Sequence, residues 1–163
     1  MKKVAKFEKV SFKQFSEATD NYNQKIYDQI KLPKRATAQS AGYDFFAPFD
    51  ININPKQTTK IPTGIRAKML SDYVLLIFPR SSLGFKFRLQ LDNTVGVVDS
   101  DYYFSDNEGH IFIKLTNDNN ENKPLIIKQG DAFVQGIFLN FGIVEDDNVS
   151  EIRNGGFGST NKK

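Results

Sequence analysis

After residue 40 the apolar residues recur with period two or in short runs, and Gly, Pro, Asn and Asp clusters separate the runs. This pattern predicts strands at 43–47, 51–53, 58–68, 73–79, 86–91, 111–116, 124–128 and 132–143. Val4, Phe7 and Val10 mark a first strand. Ile61-Pro-Thr-Gly-Ile65 puts a bend inside the 58–68 segment, and Asn117-Asp-Asn-Asn-Glu-Asn122 reads as a polar turn. Strands spaced by roughly ten residues, with little helix between them, predict an all-β barrel or sandwich.

Residues 11–30 follow another period. Phe15, Tyr22, Ile26 and Ile30 recur at helical intervals with no Pro or Gly between them, and Pro33 follows. Ser11 and Gln14 have the spacing of a capping box, which predicts a helical insertion within 12–30. There is no internal repeat and no linker, so one domain is expected over 1–152. From Asn154 the chain is Gly-rich, with Phe157 as its only large apolar residue. Such a tail cannot bury itself in a core, and residues 153–163 are expected to form a flexible C-terminal segment.

Composition narrows the chemistry. The 163 residues include no Cys and one His, His110, which excludes a thiolate nucleophile, a disulfide framework and Cys-based zinc sites. The net charge of +3 is spread along the chain rather than packed into one basic tract. No nucleic-acid partner is therefore expected, while a phosphorylated small molecule fits. The longest apolar run, Val74–Phe78, falls far short of the roughly 20 residues a membrane span needs. Lys6, Glu8 and Lys9 interrupt any signal-like apolar stretch near the start, so the expected location is the cytoplasm, that of the host if the chain is phage-encoded.

Four segments carry polar chemistry. Pro79-Arg80-Ser81-Ser82-Leu83-Gly84 follows the most apolar strand and offers a guanidinium and two hydroxyls to an anion; an ordinary turn is the competing reading. Asn93-Thr-Val-Gly-Val-Val-Asp99-Ser-Asp-Tyr102 ends a small apolar run on Asp99, which is either a functional base or a turn cap. The Asn93 amide can donate and accept, as reading a base edge requires. Gln129-Gly130-Asp131 precedes a strand that places Gln135 among apolar neighbours. Arg153-Asn-Gly-Gly-Phe157-Gly-Ser-Thr160 combines a cation, glycine amides able to wrap a phosphate, two hydroxyls and an aromatic able to stack on a base; a disordered tail is the alternative. Together they describe a phosphate grip, one carboxylate, a base-reading amide and an aromatic cover, which suits a nucleoside triphosphate.

In order and wording these segments resemble the five motifs of the trimeric dUTPases. Ala41-Gly-Tyr-Asp-Phe-Phe-Ala47 is similar to the first, 79–84 to the second, and Asn93–Tyr102 to the third. Gly130-Asp-x-x-x-Gln135 is similar to the fourth and Gly155-Gly-Phe-Gly-Ser-Thr160 to the fifth. The resemblance implies a jelly-roll-like β barrel and a homotrimer whose active sites draw on all three subunits, with the last motif closing as a lid. It implies hydrolysis of dUTP to dUMP and pyrophosphate, which supplies dUMP and keeps uracil out of DNA. Asp99 would activate the water that attacks the α-phosphorus, with Mg2+ held mainly by the phosphates and by no side chain directly. Ser81 would face the α–β bridging oxygen. Arg80, Ser82, Gln135, Arg153, Ser159 and Thr160 would hold the phosphates or their network, beside Gly158. Asn93 and the backbone at Gly96 and Val98 would read uracil, Tyr102 would pack under deoxyribose, and Phe157 would close over the base.

Some features depart from that pattern. The family has a Gly soon after the Tyr of its third motif, whereas here Tyr102-Tyr103-Phe104 runs on through a polar stretch to Gly109-His110. Arg153 and Phe157 are separated by three residues rather than four, and Asn161 replaces a common Gly. His110 reads as a residue of that hairpin near the uracil site, with simple exposure to solvent as the competing reading. A dCTP deaminase of the same fold is the nearest alternative, but Lys114 stands where its pattern needs a glutamate. A regulatory module that binds an unidentified protein on a dUTPase scaffold is the alternative from another class; such a module is expected to lose Asp99 or the lid, and both are present.

Overall fold

The computed structural model describes residues 1–151 and 153. Twelve strands, three short α-helices and one 3-10 turn account for the regular structure of the described residues. The widest sheet has the order β2 (Lys34–Arg35), β3 (Tyr43–Phe46), β12 (Ala132–Asn140), β7 (Tyr73–Pro79), β9 (Gly96–Val98). A second sheet has the order β5 (Thr58–Pro62), β10 (Phe112–Asn117), β8 (Leu89–Leu91). Two antiparallel pairs complete the set: β1 (Ala5–Lys9) with β6 (Ile65–Met69), and β4 (Ile51–Ile53) with β11 (Leu125–Ile127). The sheets face one another in jelly-roll-like fashion without closing into one continuous barrel.

Period-two alternation builds the core. Leu75 and Ile77 of β7, Ile113 and Leu115 of β10, and Ile51 and Ile53 of β4 are all buried, and the residues between them face outward. On β12 the consecutive Phe133 and Val134 are both buried, which strict alternation forbids. A register shift between Ala132 and Val134 against β3 makes room for both.

Several elements differ from the sequence expectation. The 58–68 segment is two strands in two sheets, because the chain turns at Gly64 with φ +72°. A Cβ there would lie 2.5 Å from Ile30 Cδ1, so glycine serves both the turn and the packing. The 12–30 insertion is two helices, α1 (Phe12–Glu17) and α2 (Gln24–Gln29). Asn23 caps α2 by accepting from Ile26 N–H, and Thr19 turns the chain by accepting from Asn21 N–H, so local polar side chains break the periodic run. Phe15 and Ile30 still reach the core. The 86–91 strand begins only at Leu89. Residues 81–87 form α3 (Ser81–Phe87), whose Leu83 and Phe87, one turn apart, pack on the core. A 3-10 turn at Ser100–Phe104 and strand β9 were not anticipated, and β12 stops at Asn140. Among the described residues no helix is long and apolar enough to cross a membrane.

Candidate active site

The described site residues other than Asp99 line two separate cavities. The smaller, of about 330 Å³, is lined by Ala36, Ser40, Gly42, Asp44, Arg80, Ser81, Ser82 and Gln135. Arg80 occupies the N-cap position of α3 without a side-chain capping bond, and Ser81 and Ser82 occupy its first turn, so helix formation after β7 puts this run at the cavity. Arg80 Nε lies 3.2 Å from Asp44 Oδ1 on β3, and its Nη1 donates to the Ala132 carbonyl at 3.4 Å. Gln135 enters from β12, its amide donating to the Pro79 carbonyl at 3.4 Å. Gly42 is small for a reason: a Cβ there would stand 2.5 Å from Gln135 Oε1. The donor set suits an anion.

The larger cavity, of about 640 Å³, brings together Asn93, Gly96, Val98, Tyr102 and Arg153. The turn between β8 and β9 supplies Asn93, with Thr94 in the left-handed region at φ 66°. β9 pairs with β7, and Gly96 lies flat on Ile77, 3.1 Å from where its Cβ would be to Ile77 Cβ. Tyr102 is buried; its hydroxyl donates to the His110 carbonyl at 2.8 Å and accepts from Asn107 Nδ2 at 2.7 Å. Burial pushes its phenol above the usual value. Lys60, Asp92, Phe112 and Lys114 also line this cavity.

Asp99 stands at the N-cap position of the 3-10 turn, yet its side chain makes no capping hydrogen bond. Its carboxylate, 44% exposed, is paired with Arg153 Nη2 instead. Arg153 Nε also lies 3.0 Å from Asp101 Oδ1, without the geometry of a hydrogen bond. The turn-cap reading of Asp99 therefore has no support in the geometry. Phe157, Gly158, Ser159 and Thr160 lie outside the described residues.

His110 is corrected. It is fully buried, and its Nε2 accepts from Gly64 N–H at 2.9 Å. Burial lowers its pKa from 6.5 to about 4. Its polar neighbours in sequence pointed to solvent, but Phe15 and Phe112 stack near the ring. Gly42 and Asp44 stand in the segment similar to the first motif but were given no site role from the sequence; the structure puts both in the smaller cavity.

An all-β scaffold with an anion-suited cavity, a second cavity with an aromatic floor and an amide, and a carboxylate beside it defines a protein that handles a phosphorylated small ligand. Comparison with known proteins narrows the class. The dUTPase family model matches residues 28–161. The deoxyuridine 5'-triphosphate nucleotidohydrolase of Lactococcus lactis subsp. lactis (strain IL1403) is 43% identical over 134 residues, covering 80% of this chain and 88% of that protein. The protein of the same name from Haemophilus influenzae (strain PittEE) is 37% identical over 147 residues, covering 85% and 93%. The crystal structure of dUTPase from Streptococcus mutans superimposes with a TM-score of 0.66 at 35% identity, covering 85% of this chain and 98% of that one. The chain belongs to the dUTPase family.

Proposed function

We propose that this chain hydrolyses dUTP to dUMP and pyrophosphate. The observation that carries the reading is Asp99: a carboxylate free of turn capping, three residues before the tyrosine that floors the larger cavity. The Asp99 carboxylate takes a proton from water as the water oxygen bonds to the α-phosphorus. The α–β bridging bond breaks and pyrophosphate leaves. Asn93 and the backbone at Gly96 and Val98 read uracil, and Tyr102 packs against the sugar. Arg80, Ser81, Ser82 and Gln135 hold the phosphates, with Ser81 at the bridging oxygen where charge builds. Arg153 must exchange Asp99 for a phosphate oxygen before Asp99 can act as a base. Phe157, Gly158, Ser159 and Thr160 complete the closure.

The two half-sites are separate cavities on one chain. On this reading the base half of one copy meets the phosphate half of another, and a homotrimer with closed threefold symmetry repeats that junction. Among the described residues no group of three or more His, Asp or Glu side chains is placed to hold a metal. The one carboxylate in the phosphate cavity, Asp44, already faces Arg80. This donor set fits Mg2+ that arrives on the triphosphate, where it would neutralise charge on the phosphates. The place of action is the cytoplasm.

The test is pyrophosphate release from dUTP with Mg2+, run in parallel on dTTP, dCTP and UTP, with mass determination by light scattering. Release from dUTP alone, by a trimer, is expected. Equal release from all four would remove the assigned base and sugar readers.

A further inference from the structure

The N-terminal segment, outside the family-model match, and the long loop after Tyr102 are bonded to each other. Residues 1–27 lie outside the part matched by the family model. The loop at 103–110 is mostly polar, and its large apolar side chain Phe104 is 75% exposed, so apart from the buried Ser105 and His110 the loop has little core of its own to order it.

The N-terminal segment supplies what the loop lacks. Ser11 gives the Glu108 carboxylate both its backbone N–H, at 2.7 Å, and its hydroxyl, at 2.5 Å. Only half of the expected capping box forms. Ser11 Oγ accepts from Gln14 N–H, but the Ser11 N–H that Gln14 would satisfy is taken by Glu108. The Gln14 side chain instead meets His110 Nδ1 at 3.5 Å. Glu8 on β1 accepts from the Tyr103 hydroxyl at 2.7 Å and pairs with Arg66 at 3.1 Å, while the Arg66 guanidinium lies over the Tyr103 ring.

The loop in turn fixes Tyr102. His110 and Asn107 hold the Tyr102 hydroxyl from behind. Gly109, at φ +71°, lies so close that a Cβ there would be 2.7 Å from Tyr103 Cα and 2.9 Å from the Tyr102 carbonyl oxygen. Glu8 thus bonds Tyr103, the chain neighbour of Tyr102; Ser11 bonds Glu108, the chain neighbour of Gly109; and Gln14 meets His110, whose carbonyl accepts from the Tyr102 hydroxyl.

We propose that Glu8, Ser11 and Gln14 are positioning residues that act through the 103–110 loop. They hold the Tyr102 ring at the depth that admits deoxyribose and excludes ribose. The inference rests on the reading of Tyr102 as the sugar-facing residue.

The experiment uses the full chain with Glu8→Gln, Ser11→Ala and the double variant Glu8→Ala/Ser11→Ala. Pyrophosphate release from dUTP and UTP is measured together with hydrogen exchange at residues 100–110. The double variant is expected to lose about tenfold in dUTP-over-UTP discrimination, mainly as a raised KM for dUTP. Its kcat for dUTP should stay within about twofold of the parent, and exchange should quicken at 100–110 but not in β12. Glu8→Gln keeps an acceptor for the Tyr103 hydroxyl and should preserve discrimination. Unchanged discrimination in a folded double variant overturns the inference, as does an equal loss of kcat on both nucleotides, or Glu8→Gln as damaging as the double variant. If the double variant does not fold, Ser11→Ala alone carries the same measurements. If the parent releases no pyrophosphate, the proposed hydrolysis fails separately. The inference is then decided by exchange at 100–110 and by the ratio of dUMP to UMP binding in calorimetry.

Discussion

His110 should make the stability of this fold pH-dependent in a defined window. Its ring is fully buried, with Nε2 accepting from Gly64 N–H and Nδ1 facing Gln14. Burial is the main cause of the fall in its pKa to about 4; Glu108 opposes the shift and Lys60 adds to it. Protonation would set a ring N–H against the Gly64 N–H, two donors at hydrogen-bond distance in a buried site. The unfolded chain titrates near the ordinary value of 6.5 and so takes up the proton first. The stabilisation is complete above about pH 6.5 and is lost as pH falls toward 4. The difference amounts to ~2 kcal/mol at pH 5 and ~3 kcal/mol below pH 4.

Urea unfolding at fixed protein concentration measures this. With a slope of about 2 kcal/mol per M, the midpoint should fall by about 1 M between pH 7.5 and pH 5. His110→Gln keeps an acceptor for Gly64 N–H but does not titrate, so its midpoint should be lower at neutral pH and flatter across the window. Carboxylates act elsewhere. Glu8, held at about 2 chiefly by its hydrogen bond with Lys6 and then by the one from Tyr103, loses its contribution only as pH falls from 4.5 toward 2. A parent midpoint that moves by less than about 0.2 M over pH 7.5–5, or a His110→Gln variant that moves just as far as the parent, would refute the reasoning.

Asp99→Ala should lower turnover by roughly 10²–10⁴-fold while dUTP still binds, as read by steady-state kinetics beside calorimetry; unchanged turnover would remove Asp99 from its role. Gly42→Ala should leave the fold intact, because the clash is with the flexible end of Gln135, yet raise the KM for dUTP as that amide is displaced from the smaller cavity. An unchanged KM would take Gln135 out of the phosphate grip. Gly64→Ala should cost about 2 kcal/mol in urea unfolding, since it combines a left-handed backbone with a clash against Ile30.

How much of this was legible in the sequence depends on the range of the interactions involved. Strand positions such as Leu75, Ile77, Ile113 and Leu115 were readable because period two is a local property that the sheets then use. So was the bend at Gly64, although the packing of Ile30 against it, from far off in the chain, was not. Helix α3 was not legible as a helix: its Ser-Ser-Leu-Gly run reads locally as a turn, and only the packing of Leu83 and Phe87 on the core decides otherwise. The burial of His110 depends on Phe15, Gln14 and Gly64, none of them near it in sequence. The candidate site residues were found through their order along the chain. The order alone does not show that one chain divides them between two cavities, because separation in space is a property of the sheet arrangement; only the resemblance, with its active sites shared among subunits, implied such a division.

The choice between hydrolysing a nucleotide and deaminating its base turns on β10. Its residues alternate, with Ile113 and Leu115 in the core and Phe112, Lys114 and Thr116 on the opposite face, where Phe112 and Lys114 reach the larger cavity. The similar deaminase pattern carries a glutamate at the position of Lys114, and an acid there would face a bound base and could move protons onto it. In this chain that position presents an ammonium tied to Asp92 at 3.1 Å. Asp92 is engaged in turn by the Thr116 hydroxyl at 2.6 Å, and burial disfavours its ionised form less than its two partners favour it, so its carboxyl is held below the usual range. Lys114 and Asp92 are thus engaged with each other rather than aimed at a base ring. On the proposed reading a hydrolase asks nothing of that kind there: Asn93 and the β9 backbone would only read the base moiety, while the bond that breaks lies at the phosphates. The wall formed by β10 therefore suits recognition and is unsuited to proton transfer.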